Sequence, residues 1–181
     1  MLIAALAKTT AIASGTWMNV RSFPPEKFVT DYEEEMRQRA TWYDCPQALS
    51  EYKIPFLDIA TRLGLLDRMV PPAELDGGYS AALFSGTQPS SVGFTEQPAF
   101  RHYLYALRQQ ALRAPHTTFD EAVDGHRRTL DDAETTLRVL GSAGIRGHQR
   151  DFTAMLDVNR AALELFLSLR GPMLRREWGN I

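Results

Sequence analysis

The stretch Thr118-Phe-Asp-Glu-Ala-Val-Asp-Gly-His-Arg-Arg-Thr-Leu-Asp-Asp-Ala-Glu-Thr-Thr-Leu-Arg-Val-Leu140 decides the fold class. Phe119, Val123, His126, Leu130, Ala133, Leu137 and Leu140 recur at alternating steps of four and three, the seam of a helix packed along a neighbour. Thr118 and Glu121 have the spacing of a capping box, which marks the start of that helix. Beyond the glycine-rich loop Gly141–Arg150, a second helix over 151–170 confines its polar residues to a strip, Asp157, Arg160, Glu164 and Ser168. The rest of it is mostly apolar, which predicts a central helix covered on several sides. The two segments predict a long antiparallel hairpin, 118–140 against 151–170. Its register sets His126 opposite Leu165 and Phe166, and Asn159 opposite Asp132 and Ala133.

Working outward from the hairpin, Phe100, Tyr103, Leu104, Leu107 and Ala111 form one stripe of a helix that begins near Pro98 and ends at Pro115. Gly171-Pro172 is expected to break the last helix, leaving a tail that adds one amphipathic turn. Between 71 and 97 the periodicity fails. Glycines and prolines alternate there with Ser, Thr, Tyr79, Phe84 and Phe94, so a long irregular loop is expected, docked on the body by its aromatics. Short strands at Ser80–Phe84 and Ser91–Phe94 are the only regular structure signalled within it.

Pro55 opens a short helix with Phe56, Ile59, Ala60 and Leu63 on its apolar face, loosened at Gly64. The phrase Ile59–Leu65 has the form of the first part of a helix-turn-helix. The following residues, Leu66–Pro72, are apolar and end in a double proline, where base-reading polar residues would be needed. Asp44-Cys45-Pro46 is a break that also starts a short helix, with Asp44 as cap. Ahead of it, a helix from Pro25 to about Tyr43 carries Phe28, Tyr32, Met36 and Ala40 on one face. Residues 1–25 supply an N-terminal helix, Leu2–Ser14, and an irregular connector. The whole reads as one mainly α domain over 1–181, a bundle of about five or six helices.

Composition narrows the function classes. At 181 residues, 44% hydrophobic and 23% charged, the chain is long enough for a real core. A net charge of −2 with mixed signs lacks the concentrated basic face of a nucleic-acid binder. The single cysteine, Cys45, rules out an intrachain disulfide and fits a reducing compartment. No run of about 18 apolar residues is present, so no transmembrane segment is expected. The acid-free start, Met1–Pro25, admits an organelle matrix beside the cytoplasm as the location.

Four histidines, His102, His116, His126 and His148, show no metal-ligand spacing, and no cofactor or metal is expected from them. His126 stands out because it interrupts an apolar seam. It is either a core histidine with its nitrogens satisfied or the wall of a pocket, able in principle to hold a ligand or one side of a haem iron. Arg146, His148 and Arg150 form an anion-binding candidate at a helix N-terminus, which Asp151 competes to cap. No nucleophile motif occurs, and Cys45 has a reactive reading only if it begins a helix that lowers its pKa. The expectation is therefore a non-catalytic interaction or assembly subunit. Trp17, Phe23, Tyr79, Phe84 and Phe94 are its candidate partner contacts, with other protein subunits or a second copy as partner. The alternative is a helical enzyme or ligand-binding protein with its pocket beside His126.

Overall fold

A computed structural model of the protein describes Leu6 and residues 41–114, 116–147 and 152–181. The expected N-terminal helix, the connector with Trp17 and Phe23, most of the 25–43 helix, and His148 and Arg150 lie outside these residues. What is described is mainly helical, with one small sheet. In chain order come β1 (Trp42–Cys45), β2 (Ser50–Lys53), α1 (Ile54–Arg62), α2 (Glu96–Arg113), α3 (Phe119–Ser142) and α4 (Phe152–Glu177), with one 3-10 turn between the two strands and four between α1 and α2.

Residues 42–53 correct the sequence reading. A short helix was expected after Asp44, and Trp42 and Tyr43 were assigned to the end of the preceding helix. Instead β1 and β2 pair antiparallel, Trp42 with Lys53 and Cys45 with Ser50. The link is a 3-10 turn over Pro46–Ala48, closed by Leu49 in a left-handed conformation, φ 49°. Tyr43, Cys45 and Tyr52 project from this pair into the core and are fully buried. Tertiary burial of two aromatics outweighs a local helical preference that was weak to begin with.

The 71–97 stretch is ordered without strands. Three 3-10 turns, Ala73–Leu75, Ala81–Phe84 and Pro89–Ser91, replace the two short strands expected there. α1 holds the stretch through Asp58, which accepts hydrogen bonds from the Ser90 backbone N–H at 2.9 Å and the Gln88 side-chain amide at 3.2 Å. Burial pushes the Asp58 carboxyl up, but the Ser90 and Gln88 bonds outweigh it and the pKa is lowered. Leu83 and Phe94 then bury against Tyr43, Leu57 and Met69.

Both boundaries of α3 follow from local chemistry. Thr118 Oγ1 accepts from the Glu121 N–H at 3.2 Å, and Glu121 Oε2 accepts from the Thr118 N–H at 3.1 Å. At the other end the helix runs through Gly141, expected as the stop, to Ser142. Gly144, at φ 78°, makes the turn. Gly144 N–H then reaches Gly141 O at 3.0 Å and Ile145 N–H reaches Leu140 O at 2.9 Å. This double bond pattern, with buried Leu140 and Ile145 in contact range of one core cluster, is a Schellman stop.

α4 also outruns its expected end. It continues through Gly171-Pro172 to Glu177. Pro172 forfeits one helical hydrogen bond, yet Leu174 and Trp178 beyond it are buried with Phe119, Val123 and Leu163. Trp178 Nε1–H donates to His116 O at 3.1 Å, and the ring lies 5.4 Å from Phe119. That packing holds the last turns onto α3. Ion pairs link the flanks of the two helices in opposite order along each: Asp120 with Arg175, Arg127 with Glu164, and Asp131 and Glu134 with Arg160.

Candidate functional site

Two features stand out, a cavity beside His126 and the outer face of α4. The cavity, about 330 Å³, lies between one face of α3 and the C-terminal end of α2. Ala122, Gly125, His126, Thr129 and Asp132 recur at helical spacing and form the α3 wall. Pro46, Gln47, Pro72, Glu74 and Leu75 form the wall from the hairpin turn and the first part of the 71–97 stretch. Gln110, Arg113, Ala114 and His116 close the α2 end, and Leu6 completes the lining.

His126 is buried, at 7% exposure, and its Nε2 has no hydrogen-bond partner among the described residues. Burial lowers its pKa, so the neutral imidazole is the favoured form. Gln47 is held in one orientation, because its Nε2 donates to Arg68 O at 2.9 Å and Val70 O at 2.8 Å. Flipping the amide would set an oxygen against two carbonyls. Its Oε1 is therefore fixed as an acceptor, and it too is buried without a partner. Thr129 spends its hydroxyl proton on Gly125 O at 3.0 Å, which leaves only lone pairs to offer. Arg113 is the single arginine of the lining, and it faces Glu74 at 3.5 Å.

The sequence reading found His126 but not Gln47, Thr129, Asp132 or His116. One signal was present. Glycine inside a helix costs about 1 kcal/mol relative to alanine, and Gly125 sits in the middle of α3. A Cβ there would stand 2.9 Å from His116 Nε2, so the glycine admits the His116 ring to the helix surface. Asn159, the other polar intrusion noted in the hairpin, turns its amide to Met155 O in its own helix at 2.8 Å. It forms no part of the cavity lining.

The other candidate residues scatter. Arg146 is exposed at the end of the α3–α4 loop, away from the cavity lining. Phe94 is buried in the core and Phe84 packs edge-on to Tyr43 at 5.5 Å, so both rings are used inside the chain. Tyr79 remains half exposed, edge-on to Tyr105. Cys45 does not begin a reactive helix: its thiol is fully buried, and burial followed by the Asp44 charge pushes its pKa up. His102 is a satisfied core histidine on one side, with Nε2–H donating to Asp44 O at 2.8 Å and the ring stacked on Tyr43 at 5.2 Å. Among the described residues no cluster of three metal-ligating side chains occurs, and no helix is long and apolar enough to cross a membrane.

The outer face of α4 departs from the expectation that this helix is covered on several sides. Met155, Val158, Leu165, Leu169 and Met173 are each 39–69% exposed. With Ala162, the first four keep alternating steps of three and four, about 21 Å of helix at 1.5 Å per residue. Ala154, Ala161 and Ser168 fill the spaces beside them and are exposed as well. No charged side chain interrupts this face between 154 and 169. The charged residues of that span, Asp157, Arg160 and Glu164, belong to the ion-pair set on the α3 side. Comparison with protein-family models, curated proteins and solved structures finds no match for this chain.

Proposed function

We propose that this chain is a non-catalytic assembly subunit, a bundle of five or six helices built on the 118–140/151–170 hairpin. It docks onto an apolar helix of another protein subunit through the outer face of α4. The observation that carries this reading is the uninterrupted, uncharged row Met155–Leu169 on a chain that is 23% charged as a whole. Contiguous exposed apolar surface of this kind marks interaction sites. Heptad spacing with small residues beside large ones suits a second helix packed lengthwise. Separated from its partner, such a face covers itself, so the purified chain associates with itself at micromolar concentration. Sedimentation velocity across a hundredfold dilution tests this. A concentration-dependent rise above the monomer supports the reading, and a monomer throughout removes it.

A second reading, a ligand pocket beside His126, is favoured by one observation. Two buried polar atoms without partners, His126 Nε2 and Gln47 Oε1, belong to residues lining the same cavity. Buried polar groups are nearly always satisfied, so two orphaned atoms on residues beside one cavity are unusual. At about 330 Å³ the cavity is at the small end for ligand pockets, which favours a compact molecule over a macrocycle such as haem. Native mass spectrometry of the untagged chain reads out both proposals together, as retained mass and as subunit stoichiometry.

A further inference from the structure

We infer that the helix covering the outer face of α4 is α4 of a second copy of this chain, run antiparallel about a two-fold axis that passes between the levels of Ala162 and Leu165. This rests on the docking reading of that face and names its occupant and its orientation.

The face has the area a dimer needs. Met155, Val158, Leu165, Leu169 and Met173 are 39–69% exposed, and Ala154, Ala161, Ala162 and Ser168 are exposed among them. Together they leave on the order of 600 Å² bare on each chain, so two copies reach the roughly 1,200 Å² at which specific, stable interfaces begin. A two-fold pair also sets the residues near its axis against their own copies, where like charges repel. α4 meets that demand, because the exposed residues in the middle of its outer face, Ala161, Ala162, Leu165 and Ser168, are uncharged.

Size complementarity fixes the direction. With the axis at that level, Leu165 of each copy faces the partner's Ala162, and Val158 faces the partner's Leu169, so each layer sets a larger side chain against a smaller one. A parallel pair instead stacks Ala162 on its own copy and leaves a gap beside the Leu165 pair, which close packing disfavours. Charge agrees with this direction. Beside the first half of α4, the carboxylates of Asp131, Glu134 and Asp157 share the single Arg160. In the second half, exposed Arg170 has no ion pair among the described residues. Antiparallel packing sets the acidic half of each copy beside the more basic half of the other, and it opposes the two helix dipoles.

Single-cysteine variants of the full chain test the pairing. Val158→Cys and Leu169→Cys, both at exposed positions, are oxidised with oxidised glutathione, each alone and as an equal mixture, beside sedimentation velocity of the parent. Cys45 is fully buried and takes no part. In the antiparallel pair, position 158 lies beside the partner's position 169. Its own copy stands about 16 Å away along the axis at 1.5 Å per residue, beyond the roughly 7 Å between Cα atoms that a disulfide spans. The mixture is expected to form a 158–169 disulfide at least about tenfold faster than either variant forms a dimer alone, and the parent is expected to sediment as a discrete dimer. A fast 158–158 or 169–169 disulfide in the single variants overturns the antiparallel pairing while keeping the face as an interface. A dimeric parent with no preferred disulfide in any sample overturns the pairing of α4 with its own copy. A parent that stays monomeric at every concentration, with no disulfide in any sample, removes the docking reading as well.

Discussion

α3 and α4 are neighbours of similar length, yet only α3 is finished as a surface helix. Its buried residues, Phe119, Ala122, Val123, His126, Leu130, Ala133 and Leu140, lie on the inner side. Its outward positions are charged or polar, including Asp120, Asp124, Arg128 and Asp131. α4 buries Leu156, Leu163 and Leu174 toward α3 and then repeats an apolar row on the opposite side, in solvent. Two apolar stripes on one helix mean two packing partners, and the described residues supply one. The contrast separates the stripe that stabilises this chain from the stripe that the proposed partner would cover.

Substitutions on the two sides of the pair should therefore fall into different classes. The largest stability effect is expected at Phe119, which is buried against Phe166 and Trp178. Phe119→Ala should cost about 3–5 kcal/mol in denaturant unfolding, the range for emptying an aromatic core site. Leu165→Ala on the outer face, made in a dilute sample, should stay within about 0.5 kcal/mol of the parent. A Leu165→Ala loss as large as that of Phe119→Ala would erase the distinction.

Removing the cap of α3 is a smaller test. Thr118→Ala deletes the side-chain half of the capping box and should cost about 1 kcal/mol, with the loss reported by amide exchange in the first turn of α3. Smaller again is the bridging Arg160, whose bonds to Asp131 and Glu134 are partly exposed. Arg160→Met should cost no more than about 1 kcal/mol and less in high salt, as exposed ion pairs do.

Acid stability probes the other half of the molecule, where His102 lies between α2 and β1. Burial lowers its pKa from the ordinary 6.5, while the Asp44 carbonyl and the Asp76 charge act in the opposite sense and lose. A depressed folded-state pKa means that the unfolded chain binds the proton more readily. The contribution of His102 is thus complete above about pH 6.5 and declines as pH falls below it. His126 acts with the same sign. His102→Gln keeps a donor for Asp44 O, and the fall in unfolding free energy between pH 7 and pH 5 should be smaller in this variant than in the parent.

How much of this is legible in the sequence depends on how local the deciding physics is. The seam of α3 and its capping box can be read directly, because periodicity and the Thr118–Glu121 pair act within a few residues. Ends set by tertiary packing cannot. Gly171-Pro172 has every mark of a stop, and only burial of Leu174 and Trp178 carries α4 past it. The strand pair at 42–53 hides for a related reason: its turn uses Leu49 at a left-handed φ, with no glycine or asparagine to announce it. Of the cavity, His126 is visible as a break in an apolar pattern. Gln47 is not, since its meaning comes from Arg68 and Val70 carbonyls some twenty residues away. The apolar breadth of α4 is plain in the sequence, but breadth alone does not say whether the second stripe meets this chain or another.

The central claim is that the outer face of α4 is an interface, and sedimentation velocity of Leu165→Glu/Leu169→Glu beside the parent tests it most directly. Each leucine is more than 60% exposed, so two glutamates there are tolerated by the fold and verified by an unchanged unfolding midpoint at high dilution. The account predicts a self-associating parent and a monomeric double variant. Identical sedimentation of the two proteins, whether both monomeric or both associated, would contradict it.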